Sequence, residues 1–162
     1  MTRQQWRVLF LCTGNSARSQ IAEALLNLRG EGRFVADSAG SHPAGRVNPH
    51  AIAALHAHGI PWSGHQPQGI DAVADHAWDI VITVCDHARE ACPIFPGQPV
   101  QAHWGMPDPA AISGDPAAQR RAFDETLLTL RRRIDLLLAL PVEKLERLTF
   151  EHEVRAIGQG RS

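Results

Sequence analysis

Short apolar runs alternate along the chain with longer stretches in which apolar residues recur three or four positions apart. Val8 to Leu11 is too short a run for a buried helix and suits a strand covered on both faces. It ends at Cys12. From about 18 to 28, Ile21, Ala24, Leu25 and Leu28 fall on one helical face, and Gly30 stops the helix. "RFVADSAG" reads as a second strand that ends in a turn. Asn48 and Pro49 are a cap and a first-turn residue for a helix through "HAIAALHAHG". "IPWSGHQPQG" is loop by composition, and "IDAVADHA" predicts a short helix. "WDIVITV" is the strongest strand signal, and "VQAHW" predicts a fourth strand. A long helix follows from about 116 to 140. Asp115 caps it, Pro141 ends it, and Phe123, Leu127, Leu130, Ile134 and Leu137 line its apolar face.

Strands alternating with helices predict an α/β fold: a four-stranded parallel sheet with right-handed crossovers, in three α/β/α layers. The division expected is a single catalytic domain over 1–140 and a C-terminal extension over 141–162, with at most one more short helix in it. Ligands on such sheets bind beyond the carboxyl ends of the strands. Cys12 follows the first strand and Cys85 the third, so their loops should share one face of the molecule.

Composition narrows the classes. The 162 residues fit one domain, and a net charge of −1 gives no electrostatic case for nucleic acid. No apolar run has the length of a membrane span, and "MTRQQWRVLF" lacks the apolar core of a signal peptide, so a cytoplasmic protein is expected. Three cysteines, an odd number, argue against a disulfide framework and for catalysis, redox work or packing.

The chemistry concentrates in "CTGNSARS". Five residues separate Cys12 from Arg18, which forces a tight turn between strand and helix. In such a turn the backbone N–H groups of Thr13, Gly14, Asn15, Ser16 and Ala17 converge into an oxyanion cradle at a helix N-terminus. Gly14 and Asn15 tolerate the positive φ a nest needs. Arg18 adds a two-pronged donor, and Ser19 can hydrogen-bond the sulfur. The same field should lower the pKa of Cys12 and make it a nucleophile aimed at the bound anion. Cys85 and Cys92 read as further reactive thiols, as core packing, or, with His87 and His103, as zinc ligands, although paired Cys-x-x-Cys spacing is missing. Asp108 stands between two prolines on a stiff loop, where it could act as a general acid or simply form a turn.

"VLFLCTGNSARSQIAEALL" resembles the low-molecular-weight protein tyrosine phosphatase family. "VITVCDHAREACPIFPGQPVQAHWGMPDPA" is similar to its thioredoxin-coupled arsenate reductase branch. The resemblance runs from about Val8 to Leu140 and implies the low-molecular-weight phosphatase fold. It implies that Cys12 attacks arsenate, that a Cys12–Cys85 disulfide forms as arsenite leaves, and that Cys92 converts it to Cys85–Cys92. A thioredoxin or similar dithiol then reduces the last bond. Arg18 would bind the anion and Asp108 would serve as the acid. The protein is expected to be a monomer without a bound cofactor, its loop holding arsenate, phosphate or sulfate. In some reductases of the branch, residues matching Asn15, Glu23 and Ser38 help hold potassium. Gln68 stands here near where a further acidic ligand is absent, which leaves Asn15 and Ser38 as braces for the loop. The chain has no tyrosine, which weakens the case for a phosphotyrosine pocket, and Ala17 stands where many relatives have cysteine. The alternative activity is a phosphomonoester or protein tyrosine phosphatase that uses Cys12, Arg18 and Asp108 alone.

Overall fold

The protein is described by a computed structural model, which covers residues 5–62, 64–85, 92–112, 114–141 and 147–160. Strand β1 (Trp6–Cys12) leads through helix α1 (Arg18–Arg29) to β2 (Phe34–Gly40) and α2 (Pro49–Ala57). A single 3-10 turn (Ile70–Ala72) precedes β3 (Ile80–Thr83) and β4 (Val100–His103). A second 3-10 turn (Pro109–Ala111), the long helix α3 (Pro116–Leu138) and helix α4 (Arg147–Gly158) complete the order. The strands run parallel in the order β2-β1-β3-β4. Val8 to Cys12 and all of β3 are buried, so the central strands are covered on both faces in the expected α/β/α arrangement.

Local chemistry accounts for most boundaries. The Asn48 side chain accepts from His50 N–H and Asp115 from Ala117 N–H, each just before a first-turn proline. Two elements differ from expectation. Residues 70–77 close only a 3-10 turn, because Val73 alone among them is fully buried and no apolar stripe exists to dock a longer helix. The third strand is shorter than "WDIVITV". Trp78 stands outside it, its indole N–H on Val73 O at 2.8 Å, and Asp79 Oδ2 accepts from Arg7 N–H at 2.8 Å.

The segment beyond residue 140 is better integrated than an extension. Helix α4 lies against β4, and its Phe150, Val154 and Ile157 join the core. Phe150 packs on Trp6 with ring centroids 5.5 Å apart, and buried Trp104 donates to Val154 O at 3.0 Å. Gly158 permits the contact, since a Cβ there would collide with His103 O and the Trp104 ring. The tail's apolar residues are spaced for a helix, but their partners Trp6 and Trp104 lie far away in sequence. Among the described residues no helix is long and apolar enough to cross a membrane.

The register places the carboxyl ends of β1, β3 and β4 side by side, with Leu11 opposite Thr83 and Thr83 opposite His103. Cys12 and Cys85 both emerge at that edge. Phe150→Ala should cost about 3–5 kcal/mol, the usual price of emptying a buried aromatic site. A urea titration checks this, and an unchanged midpoint would mark α4 as dispensable.

Candidate active site

The loop 12–18 gets its shape from the segment that follows β2. Ser41 N–H donates to Cys12 O at 3.1 Å, His42 N–H to Thr13 O at 2.8 Å, Ala44 N–H to Gly14 O at 2.9 Å and Asn48 N–H to Ser16 O at 2.8 Å. A trans peptide points its C=O and N–H in opposite directions. Holding four carbonyls outward therefore turns the N–H groups of Thr13, Gly14, Asn15 and Ala17 inward. Asn15 N–H indeed points at Cys12 Sγ, 3.2 Å away. Asn15 takes the left-handed conformation at φ 51°, whereas Gly14 does not; the expectation of positive φ holds for Asn15 alone. Helix α1 opens at Ala17 without a side-chain cap and without an acidic residue in its first turn, so its N-terminal field is left to an anion.

Cys12 is buried at the floor of this loop, its Sγ 2.8 Å from Ser19 Oγ. Asn15 Nδ2 donates to Ser19 Oγ at 2.9 Å and to Ser38 Oγ at 2.9 Å, and Asn15 Oδ1 accepts from Gln68 N–H at 3.0 Å. With its oxygen already accepting, Ser19 has its hydrogen available for the sulfur. Burial nevertheless pushes the Cys12 thiol above its ordinary value; the Ser19 hydroxyl, the Ser19 and Asn15 N–H groups and the Arg18 charge pull it down but do not overcome desolvation. The expected lowering is thus reversed: removal from water outweighs the cradle's field. Burial likewise pushes the Cys92 thiol up.

Arg18 is buried at the loop's end. Its Nη1 donates to Met106 O at 3.2 Å, and its Nη2 lies 3.8 Å from Asp108 Oδ2. Asp108 caps the Pro109–Ala111 turn through Ala110 N–H at 2.9 Å, which fixes one carboxylate oxygen and leaves the other toward Arg18. Its side chain is 47% exposed, so it can exchange protons with water at the rim.

Cys85 is buried, and its Sγ lies 3.1 Å from Thr13 Oγ1. The second thiol therefore touches the first residue of the anion loop. Cys92 is half-buried, 3.6 Å from Pro93 O, and lines a cavity of about 360 Å³ with Thr83, His103 and Arg155. All three cysteines are free. His87 lies outside the described residues. Among the described residues Cys85, Cys92 and His103 do not converge as metal ligands, and His103 Nδ1 is engaged by Thr83 Oγ1 at 2.7 Å.

Behind the loop, Ser38 Oγ donates to Glu23 Oε1 at 2.7 Å. The His65 ring lies between Glu23 Oε1, at 2.9 Å, and Asp37 Oδ1, at 2.8 Å. The two carboxylates push the His65 pKa up to about 10, with Asp37 the larger influence. Asp37 in turn sits below the ordinary carboxylate value: burial works against this, but the His65 hydrogen bond and the Ser38 N–H prevail. Glu23, Asp37 and His65 bring ligand atoms within 4.8 Å of one another, and here those atoms are spent on hydrogen bonds among themselves. Asn15 presents its amide N–H groups to Ser38, Gln68 donates its amide to Asp37 and Ser38 O, and the His65 ring fills the space beside Glu23.

Several positioning residues escaped sequence reasoning. Gly40 has no room for a Cβ, which would strike Thr13 O and Asn15 N, so β2 can end only in glycine here. Buried Gln20 straps the loop to the 62–68 segment. Its amide donates to Asn15 O at 3.2 Å and to His65 O at 3.0 Å, and its Oε1 accepts from Trp62 Nε1 at 3.3 Å. Asp37 and His65 carry no local motif and are joined only by the fold.

Residues 7–154 match the family model of low molecular weight phosphotyrosine protein phosphatase. The chain is 42% identical over 107 residues to an arsenate reductase of Staphylococcus epidermidis, a match spanning 66% of this chain and 80% of that protein. It superposes with a TM-score of 0.67 and 28% identity on a solved arsenate reductase in a phosphate-binding state, covering 83% of this chain and 97% of the other. A thioredoxin-dependent arsenate reductase of Corynebacterium glutamicum gives 0.58 and 29% over 84% of this chain and 65% of the other.

The Ser19 hydrogen bond can be tested directly. Ser19→Ala should raise the pH midpoint of Cys12 alkylation by iodoacetamide by about 1–2 units, the worth of one hydrogen bond to a charged group. The sign follows from the bond favouring the thiolate, so its loss favours the thiol. An unmoved midpoint would mean the hydroxyl points elsewhere.

Proposed function

We propose that this chain, which belongs to the low molecular weight phosphotyrosine protein phosphatase family, reduces arsenate to arsenite with Cys12, Cys85 and Cys92 as its electron source. The observation that carries the reading is the contact of the Cys85 sulfur with Thr13 at 3.1 Å, which brings a second buried thiol to the anion loop. A phosphatase has no use for that thiol.

Arsenate, a tetrahedral anion, sits among the inward N–H groups and the Arg18 guanidinium. Cys12 forms a bond to arsenic as one oxygen leaves. The thiol proton and the arsenate hydroxyl depart together as water, with Asp108 at the rim passing the proton to the leaving oxygen. Cys85 then attacks the Cys12 sulfur. The sulfur–arsenic electron pair stays on arsenic, which falls from the +5 to the +3 state and leaves as arsenite, and a Cys12–Cys85 disulfide remains. Cys92 displaces Cys12 from Cys85, so the oxidising equivalents end as a Cys85–Cys92 disulfide on the outer side. An external dithiol protein of the thioredoxin kind restores the thiols. Each exchange requires its two sulfurs to approach with their Cα atoms within about 7 Å.

Cys92→Ser isolates the second step. On one anaerobic pulse of arsenate it should lose two thiols, yield one arsenite and accumulate the Cys12–Cys85 disulfide in peptide mass spectra. Phosphate should leave every thiol intact. Normal multiple turnover of Cys92→Ser with thioredoxin would overturn the relay, and release of phosphate from aryl phosphates without arsenite formation would point to hydrolysis by Cys12, Arg18 and Asp108.

A further inference from the structure

The chain that carries Asp108 leaves the sheet at Trp104. Trp104 N–H donates to Thr83 O at 2.7 Å, and its buried indole donates to Val154 O at 3.0 Å. The next two carbonyls each meet a guanidinium. Arg133 Nη1, on α3, donates to Gly105 O at 3.1 Å, and Arg18 Nη1 donates to Met106 O at 3.2 Å. The His103 ring closes on Gly105 from another side, its Nε2 2.7 Å from where a Cβ would stand. Pro107 and Pro109 stiffen the backbone around Asp108, and neither has an N–H by which to hold it. Among the described residues, these two arginine contacts hold the chain between Trp104 and Asp108.

The two arginines are not equivalent. Arg18 closes the anion loop, and its fork is what a bound tetrahedral anion engages. Its other terminal nitrogen already lies 3.8 Å from Asp108 Oδ2. Substrate therefore draws on the donors that hold Met106 O. Arg133 stands apart from the anion loop, in the run Arg131–Arg133 near the end of α3, where Leu130, Ile134 and Leu137 are buried in the core. Its side chain is half-buried, and burial pushes its pKa below the ordinary value with no carboxylate opposing the shift. A cation drawn partly out of water is costly unless hydrogen bonds offset the loss, and the bond that Arg133 makes is to the acid's loop.

We infer that Arg133 is a positioning residue for the acid: it fixes the Gly105 carbonyl, so that Asp108 stays at the rim of the cradle while Arg18 is committed to the anion. Arg133 touches neither the anion nor the reacting atoms. It acts on the Asp108 carboxylate through the backbone of Gly105, Met106 and Pro107. The inference rests on Asp108 serving as the acid in arsenate reduction, whereas the hold on the loop is independent of which anion is bound.

Hydrogen–deuterium exchange on full-length Arg133→Met tests the hold. The peptide spanning 105–112 should exchange about three- to tenfold faster than in the wild type, the effect of losing one hydrogen bond, while β1 stays unchanged. Saturating phosphate should widen the difference, because it engages Arg18. The rate of thiol loss on a single anaerobic pulse of arsenate tests the action on the acid. It should fall about three- to tenfold in Arg133→Met, while phosphate protects Cys12 from iodoacetamide at an unchanged half-saturating concentration. On an Asp108→Asn background the same substitution should alter the rate by less than about twofold, since the group it positions is gone. Arg133→Lys keeps a donor and should fall between wild type and Arg133→Met; it carries both comparisons if Arg133→Met does not fold. Unchanged exchange at 105–112, or an equal rate loss with and without Asp108, would overturn the inference. A wild-type chain that loses no thiols to arsenate would overturn arsenate reduction instead, and the exchange comparison would still decide whether Arg133 holds the loop.

Discussion

Four backbone hydrogen bonds from the 41–48 segment to the carbonyls of Cys12, Thr13, Gly14 and Ser16 determine what this molecule can do. Peptide planarity converts that outward restraint into an inward ring of donors. The rest of the fold serves the restraint. The parallel register of β1 and β2 brings Gly40 opposite Cys12, and only glycine lets the chain pass so close to the loop. Asn48 both donates to the loop and caps α2, which ties the returning segment to a helix. An uncapped α1 supplies the remaining donors.

Burial sets the character of the nucleophile. Sunk at the end of β1, Cys12 is held toward the protonated form by desolvation, while Ser19, Asn15 and Arg18 favour the thiolate. Behind it lies a short internal salt cluster, Glu23, His65 and Asp37, whose charges compensate one another locally.

Much of this was legible in the chain. The strand–loop–helix around Cys12 follows from an apolar run, a turn too short for anything but a nest, and a helical stripe. The caps at Asn48 and Asp115 are local chemistry and came out as read. Three kinds of feature were not legible. Helix α4 depends on Trp6 and Trp104, partners distant in sequence. The Glu23–His65–Asp37 cluster joins three elements, and a histidine in a loop carries no sign of the carboxylates it will meet. The Cys12 acidity was misjudged because sequence shows the charges near a thiol but not the depth at which it lies.

The central claim is that the loop and the second thiol form one device for moving two electrons to a bound anion. A free-thiol count on the fully reduced wild-type protein, before and after a single anaerobic pulse of arsenate, tests it without reference to any reducing partner. The account predicts a fall from three thiols to one with arsenate and no change with phosphate. Three thiols surviving both anions would contradict it.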